Sequence, residues 1–165
     1  MALEIERKFL LKDDSWRHAV LEHQRMVQGY LGGKRCSVRV RISGAEAWLS
    51  VKSRVQGSVR HEFEYAIPMP DAETMLAELR EGPAIEKMRH HVQVHGKHWE
   101  IDEFLGDNAP LILAEIELDH VDETFSAPLW LGQEVTMYRR YFNSELSRRP
   151  YVDWEEFEKL PGSIL

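Results

Sequence analysis

Near the start of the chain stands the stretch Glu4-Ile5-Glu6-Arg7-Lys8-Phe9-Leu10, in which charged and mostly apolar side chains alternate. Successive side chains of a β-strand point to opposite faces, so a strand here places Glu4, Glu6 and Lys8 on one face. The two carboxylates then lie roughly 7 Å apart and point the same way, with an ammonium group one step further along. In an enclosed site, such a group of charges can hold a divalent cation and an anion together.

The composition limits the classes of protein to which this chain can belong. Its 165 residues, 43% apolar and 30% charged, suit one soluble folded domain. The net charge of −7 argues against a general binder of nucleic acid or anionic membranes, although a local site for an anion stays open. Cys36 is the only cysteine, which excludes an internal disulfide and a multi-cysteine zinc site. Since the chain starts with a charged strand and has no apolar run of ~20 residues, we expect a cytoplasmic protein.

The alternation of apolar and polar residues predicts eight strands, mostly antiparallel, separated by turn signals such as Gly32-Gly33 and His95-Gly96. The predicted strands cover residues 4–10, 25–31, 36–42, 47–54, 59–67, 85–94, 97–104 and 111–118. Short helices are expected within residues 12–20, 71–80, 121–131, 141–146 and 153–160. In the last of these, Trp154 and Phe157 are the expected apolar anchors.

Six of the strands carry two charges of the same sign at positions i and i+2, which places each pair on one face. The pairs are Glu4/Glu6, Arg39/Arg41, Glu62/Glu64, Lys87/Arg89, Glu100/Asp102 and Glu115/Glu117. A sheet with one wet face produces such alternation by itself, and for any single pair that interpretation is preferable. For six pairs together it is weaker, because a solvated face gains nothing from grouping like charges along each strand.

The apolar face of these strands needs cover, which the predicted short helices can supply. The charged face then points inward, and eight strands suffice to close a barrel. The sequence therefore predicts an α+β protein: a closed eight-stranded antiparallel β-barrel, or tunnel, with a charged interior and short helices packed outside. Buried charges are costly unless they are paired, hydrated or bound to a ligand. Paired carboxylates suit Mg²⁺ or Mn²⁺, and Arg and Lys suit phosphate oxygens, so the tunnel suits a metal-bound polyphosphate.

These motifs resemble those of the CYTH family, also called the triphosphate tunnel metalloenzymes. Glu4-Ile5-Glu6-Arg7-Lys8-Phe9 is similar to the family's N-terminal E-x-E-x-K signature. The agreement continues in order through Gln28-Gly29-Tyr30-Leu31, Val38-Arg39-Val40-Arg41, Leu49-Ser50-Val51-Lys52, Glu62-Phe63-Glu64, Ile85-Glu86-Lys87-Met88-Arg89, Glu100-Ile101-Asp102, Glu115-Ile116-Glu117, Glu134-Val135-Thr136 and Arg140-Tyr141-Phe142-Asn143. It covers about residues 3–146, so we expect a single CYTH-like domain over residues 1–165 with a helical tail at about 150–165. The chain resembles the family's short bacterial members, the inorganic tripolyphosphatases.

The resemblance implies an eight-stranded antiparallel tunnel and a role for each charged residue within it. Metal binding would involve Glu4, Glu6, Glu62, Glu64, Asp102, Glu115 and Glu117. Phosphate binding would involve Lys8, Arg39, Arg41, Lys52, Lys87 and Arg89. Tyr30 and Lys52 match the pair with which the family's small hydrolases orient or deprotonate the attacking water. Tyr138 stands where relatives often carry an acidic residue, so one acidic contact is expected to be missing.

These roles imply a divalent-metal-dependent triphosphatase that uses Mg²⁺ or Mn²⁺ to cleave a phosphoanhydride bond, with inorganic tripolyphosphate giving pyrophosphate and phosphate. Three alternatives stay open: a nucleoside or thiamine triphosphatase, a class IV adenylate cyclase, and a non-catalytic polyphosphate- or nucleotide-binding module. The expected partner is a small-molecule triphosphate rather than nucleic acid or a membrane, and the expected state is a monomer or homodimer. The histidines His90, His91, His95 and His98 are interpreted as exposed residues of a hairpin and not as a zinc site.

Overall fold

In the computed structural model, which describes residues 2–159, nine strands form one antiparallel sheet. The strands are β1 Ala2–Leu11, β2 Val20–Tyr30, β3 Cys36–Ser43, β4 Glu46–Ser53, β5 Val59–Ala66, β6 Glu81–Val94, β7 Lys97–Phe104, β8 Ile112–Glu117 and β9 Leu131–Glu134. Their order is β5-β4-β3-β2-β6-β7-β8-β1-β9, and a further pairing between β5 and β1 closes the first eight into a ring. The predicted closed eight-stranded barrel is confirmed, with β9 as one additional strand.

Strand β1 closes the barrel because different parts of it pair with different strands. Residues 2–5 pair with β5, residues 6–9 pair with β8, and β9 joins at Phe9 and Leu11. A register shift between Phe9 and Leu11 accompanies the change of partner. The stretch with the alternating charges is therefore also the seam of the barrel.

The registers place all the predicted charge pairs on the inner face. Directly opposite residues of antiparallel strands point to the same face of the sheet. If one residue of such a pair points into the barrel, its partner on the next strand therefore points inward as well. The inner-face pairings include Glu6 with Glu117, Lys8 with Glu115, Lys52 with Glu62, Arg89 with Asp102, and Glu100 with Glu115. Two of them, Glu6 with Glu117 and Glu100 with Glu115, put carboxylates opposite each other.

Short segments cover the outer, apolar face of the barrel. A 3-10 helix at Ser15–Ala19 buries Trp16 against Val92, Trp99 and Ile101. The helix α1 at Met69–Thr74 and a π-helical turn at Met75–Leu79 bury Ala72 and Leu76 against Val40 and Ala47. The cover that was predicted for the regions around residues 12–20 and 71–80 is thus in place, although each segment is shorter or less regular than expected.

The C-terminal segment packs on one end of the barrel. A 3-10 turn at Arg139–Tyr141, the helix α2 at Asn143–Leu146 and the buried Trp154 lie against Ile85, Phe104 and Leu113. These three apolar residues continue the inner faces of β6, β7 and β8 at the end where β6 begins. The segment therefore closes the barrel end on the β6–β8 side.

Several local predictions were wrong or imprecise. Strand β2 begins at Val20 rather than near residue 25. In place of the short helix predicted over residues 121–131, residues 121–130 form turns and coil and Leu131 begins β9. The expected terminal helix is two 3-10 turns, Tyr151–Asp153 and Glu156–Lys159, and its predicted end at residue 160 lies outside the described residues. Phe157 is 68% exposed and is no anchor, because Trp154 alone enters the core and the Arg149–Glu158 ion pair holds the turn that follows.

Candidate functional site

The barrel encloses a cavity of about 390 Å³, and 14 of the 24 residues in its wall are Glu, Lys or Arg. The predicted residues in this wall are Glu4, Glu6, Lys8, Tyr30, Arg39, Arg41, Lys52, Glu62, Glu64, Lys87, Arg89, Glu115 and Glu117. They come from all the barrel strands except β7, which contributes His98 and Glu100. The alternation of side chains along each strand, combined with closure, brings these residues together.

Asp102 is the predicted site residue that the cavity wall does not include. Its side chain is fully buried and accepts hydrogen bonds from Lys87 at 2.6 Å and from Arg89 at 2.7 and 2.8 Å. Burial alone would raise the pKa of Asp102, but the charges of Arg89 and Lys87 outweigh it and hold the pKa well below its ordinary value. In this geometry Asp102 orients two cations from behind and does not face the cavity as a metal ligand.

Lysine ammonium groups hold several of the wall carboxylates. Lys8 donates to Glu6 at 2.9 Å and to Glu115 at 2.5 Å. Glu4 accepts from Lys52 at 2.8 Å and from Arg60 at 2.6 Å. Burial works against ionisation of Glu4, yet the two cations prevail and lower its pKa to about 2. Glu4 is therefore ionised at neutral pH, and its two partners hold its carboxylate in place.

Other carboxylates stand where negative charge accumulates. Glu117 lies opposite Glu6 in the register, and burial together with the charges of Glu4, Glu6 and Glu100 raises the pKa of Glu117. Burial, Glu4 and Glu64 likewise raise the pKa of Glu62, although Lys52 opposes them. Like charges directly opposite each other on neighbouring strands are destabilising. This part of the wall therefore carries an excess of negative charge that a cation would relieve.

Two arginines on β3 form the positively charged part of the wall, which complements the carboxylate-rich part. Arg39 is buried, donates to Ser50 at 3.1 Å, lies 3.5 Å from Glu64, and has an Nε without a hydrogen-bond partner among residues 2–159. Within the described residues, Arg41 donates only to the neutral side chain of Gln28, at 3.0 Å. Burial and the neighbouring charges of Arg39 and Arg89 lower the pKa of Arg41 to about 9. Buried guanidinium donors with so few acceptors suit an anion in the cavity, and phosphate oxygens match their geometry.

The predicted pair Tyr30 and Lys52 shares this cavity without direct contact. Within the described part of the chain, no hydrogen bond joins the two side chains, and the Lys52 ammonium is bound to Glu4 instead. Burial raises the pKa of Tyr30, while burial and the charge of Arg39 lower the pKa of Lys52. A water or substrate oxygen between them would be needed to link their action.

A metal centre is not preformed in this conformation. Among residues 2–159, no three His, Cys, Asp or Glu side chains are arranged to hold a metal ion. The reason is visible in the ion pairs, because Lys8 and Lys52 occupy oxygens of Glu6, Glu115 and Glu4. The donor set nevertheless consists of carboxylates, which are the ligands that Mg²⁺ and Mn²⁺ prefer. The negative charge that Glu4, Glu6 and Glu100 place around Glu117 would be reduced by the binding of such an ion.

Sequence reasoning missed three residues that support the site. Arg60 pairs with Glu4, and Ser50 donates to Glu64 at 2.7 Å while accepting from Arg39. Both lie at even spacing from predicted site residues on the same strands, so the period-two pattern could have identified them. Asn143, whose side-chain oxygen accepts from Lys87 at 3.2 Å and Gln28 at 2.8 Å, lies outside the strands and has no such signal.

The histidine group is not uniformly exposed, so that prediction was wrong for His90. Its ring lies 4.9 Å from the ring of Trp16, which covers it on the outer face. His98 is exposed and lines the cavity, and its Nε2 is 3.0 Å from Nδ1 of His91. The alternation of strand residues separates these rings between the two faces.

Comparison with known proteins places this geometry in a family. A family model described as the CYTH domain matches residues 2–151. An inorganic triphosphatase of Acetivibrio thermocellus is 42% identical over 157 residues, which cover 94% of this chain and 100% of that protein. An inorganic triphosphatase of Nitrosomonas europaea is 37% identical over 151 residues, covering 87% of this chain and 96% of that protein. A crystal structure described as an inorganic triphosphatase has a TM-score of 0.62 and 34% identity, covering 89% of this chain and 95% of that one.

Proposed function

The chain belongs to the CYTH domain family, and from this premise we propose that it is a divalent-metal-dependent hydrolase that cleaves inorganic tripolyphosphate to pyrophosphate and phosphate. The observation that carries the proposal is the division of charge inside one closed cavity. Carboxylates crowd around Glu117, while Arg39 has a buried Nε without an acceptor within residues 2–159 and Arg41 donates there only to the neutral Gln28. A linear triphosphate with a bound cation satisfies both halves at once.

Cationic side chains of the tunnel bind the phosphates in this proposal. Arg39, Arg41, Lys87 and Arg89 donate to the non-bridging oxygens, and Lys8 and Lys52 add positive charge near β1. Asp102 acts as a positioning residue, since it accepts hydrogen bonds from Lys87 and Arg89 and orients both side chains. Stabilisation of the charge that develops on the leaving phosphate is the main catalytic contribution expected of such preorganised groups.

The metal would be held by carboxylates that face the cavity, namely Glu4, Glu6, Glu62, Glu64, Glu115 and Glu117. When bound, Mg²⁺ or Mn²⁺ supplies Lewis-acid polarisation of the phosphoryl group and neutralises phosphate charge. The ion pairs of Lys8 with Glu6 and Glu115 must loosen for this, and the incoming phosphate offers the lysine a new anionic partner. Metal and substrate binding are therefore expected to assist each other.

Water activation falls to Tyr30 and Lys52 in this proposal. The lowered pKa of Lys52 increases the share of its neutral amine, the form that can accept a proton, relative to an ordinary lysine, and the Tyr30 hydroxyl stays protonated because its pKa is raised. Tyr30 can then donate a hydrogen bond to the attacking water or to a phosphate oxygen. The water lies between the two side chains, which do not touch each other directly.

A phosphate-release screen tests the function. The purified chain is assayed with tripolyphosphate, ATP, GTP, thiamine triphosphate and pyrophosphate, each with Mg²⁺, with Mn²⁺ and with excess chelator, and cyclic AMP is measured in the ATP reactions. We expect turnover to be fastest with tripolyphosphate, to give equal amounts of phosphate and pyrophosphate, and to be abolished by the chelator. Cyclic AMP as the main product would establish the cyclase alternative, and tight binding without turnover would establish the binding module.

A further inference from the structure

A second cavity, of about 890 Å³, opens beside the tunnel. The two cavities share wall residues, among them Tyr30, Arg60, Thr136 and Phe142. The second cavity is therefore adjacent to the first, on the other side of these shared residues. None of the roles proposed above for the tunnel uses this space.

The second cavity lies at one end of the barrel. Its wall is built from residues 32–37 around the start of β3, residues 53–55 and Gly57 at the end of β4 and the turn after it, residues 81–83 at the start of β6, and residues of the C-terminal segment between 136 and 148. These loops lie at the same end because neighbouring strands are antiparallel. We call this cavity, with its wall, the vestibule.

Positive charge dominates the vestibule. Its wall contains the cations Lys34, Arg35, Arg54, Arg60, Arg139 and Arg148, against the carboxylates Glu81 and Glu145. Glu145 is already engaged, since it lies 3.4 Å from Arg148 and 3.7 Å from Arg139. Lys34 and Arg35 are exposed and form no ion pair within residues 2–159, and Arg54 donates to the backbone carbonyl of Lys34 at 2.9 Å.

Exposed arginines elsewhere on the molecule are mostly neutralised. Arg17 pairs with Glu103, Arg25 with Glu86 and Arg149 with Glu158. The vestibule thus carries six cations against two carboxylates, and three of the cations, Lys34, Arg35 and Arg54, form no ion pair within residues 2–159. At the opposite end, beside the turn between β6 and β7, β8 ends with the exposed carboxylate of Glu117.

We propose that the vestibule is the entry site of the tunnel, which captures a linear inorganic phosphate anion and guides it inward. The proposal rests on the proposed function, because it assumes that such an anion is the substrate. With a net charge of −7, the molecule as a whole repels a highly charged anion at long range. A basic funnel with low-dielectric walls reverses this repulsion locally and raises association rates. At the opposite end, the carboxylate of Glu117 repels such an anion.

Charge neutralisation at the vestibule tests this inference. Lys34→Gln/Arg35→Gln is compared with Lys12→Gln/Arg25→Gln, which removes two exposed cations outside the vestibule and changes the net charge equally, from −7 to −9. At low ionic strength we expect kcat/KM for tripolyphosphate to fall about tenfold in the vestibule variant only, with kcat unchanged. The difference is expected to vanish near 1 M salt, where the Debye length is about 3 Å.

Each other outcome contradicts the inference. An unchanged kcat/KM, or an equal loss in both double variants, would show that the position of these charges is irrelevant. A loss that persists at high salt, or one that appears in kcat, would indicate direct contact with the reacting substrate instead of capture. Circular dichroism establishes that both variants fold.

The design separates this inference from the proposed function. If the unmodified protein does not hydrolyse tripolyphosphate, the proposed function fails, and the vestibule is tested by calorimetric titration of the same three proteins with tripolyphosphate. Weaker binding by the vestibule variant alone, lost at high salt, supports the entry site. Equal binding by all three overturns it.

Discussion

Arg41 shows how a single residue can be unfavourable for folding and favourable for binding. Its guanidinium is partly buried, donates within residues 2–159 only to the neutral side chain of Gln28, and stands near the like charges of Arg39 and Arg89. A buried charge without a counter-charge costs stability. The lowered pKa of Arg41 reflects this cost, and a phosphate oxygen would offset it by supplying an anionic acceptor.

We therefore expect Arg41→Gln to bind substrate more weakly without destabilising the ligand-free fold. A hydrogen bond to a charged group contributes about 1.5–3 kcal/mol, so kcat/KM for tripolyphosphate should fall about 10- to 100-fold. The thermal midpoint of the ligand-free protein should stay equal or rise. The measurements are steady-state kinetics and thermal unfolding without ligand.

Arg25→Gln is the matched control, since Arg25 is exposed and its partner is Glu86. It should leave both measurements nearly unchanged. An Arg41→Gln variant that unfolds at lower temperature while keeping full kcat/KM would show that Arg41 serves the fold and not the substrate.

Strand β1 combines structural and chemical roles that the sequence shows only in part. It closes the barrel through β5 and β8, and the same residues carry the charges that hold Lys52 and Arg60. Glu4 connects the two roles, because its carboxylate joins β1 to β4 and β5 across the seam. Its stabilising effect should therefore appear as a dependence of stability on pH.

The sign of that dependence follows from the pKa of Glu4, which is about 2 in the folded state against an ordinary value of 4.5. Glu4 contributes fully to stability above pH 4.5, and the contribution is lost as the pH falls toward 2. The shift corresponds to about 3 kcal/mol. Glu4→Gln should lower the free energy of unfolding by up to that amount at pH 7 and by much less near pH 2.5, as measured by urea unfolding at both pH values.

Glu46→Gln, at the exposed start of β4, provides the comparison and should change the free energy of unfolding by less than about 0.5 kcal/mol at either pH. A Glu4→Gln variant that loses equal stability at both pH values would mean that the ionised form of Glu4 is not what stabilises the seam.

Among the structural elements, the strands could be predicted from the sequence, whereas many contacts made by irregular segments and single side chains could not. Period-two alternation is a local property of the chain, so the charge pairs indicated both the strands and their shared inner face. Contacts made by irregular segments have no such period. Asn143 reaches Lys87 from the C-terminal segment, and Asp102 is shielded by cations from its neighbouring strand. The contact of Asn143 with Lys87 depends on how the C-terminal segment folds back. The shielding of Asp102 depends on side-chain geometry within a correctly predicted strand.

The molecule places a layer of ionised side chains inside the barrel, where charges are less favourable for stability than at the surface. Buried ion pairs are commonly no more stabilising than apolar residues of similar size. A barrel of this size could fill its interior with apolar side chains. It does so at the end where β6 begins, with Ile85, Phe104 and Leu113. The charged layer is therefore best explained by ligand binding, which the apolar layer and the C-terminal segment support from one end.

The C-terminal segment should consequently affect both stability and activity through Trp154. This ring is 4% exposed, lies 5.0 Å from the ring of Tyr141, and stacks with Arg140 at 5.6 Å. Trp154→Ala should cost about 3–5 kcal/mol in free energy of unfolding. Because Tyr141 precedes Asn143 by two residues, kcat/KM for tripolyphosphate should also fall, by up to about 100-fold.

Phe157→Ala isolates the effect of Trp154, because Phe157 is an aromatic residue of the same segment that remains 68% exposed. It should change the free energy of unfolding by less than about 0.5 kcal/mol and leave kcat/KM as it was. Urea unfolding and steady-state kinetics measure both quantities at a temperature where all three proteins are folded. If Trp154→Ala lost stability but kept full kcat/KM, Asn143 would not need the C-terminal packing to hold Lys87. Equal effects of the two substitutions would mean that Trp154 does not anchor the segment to the barrel.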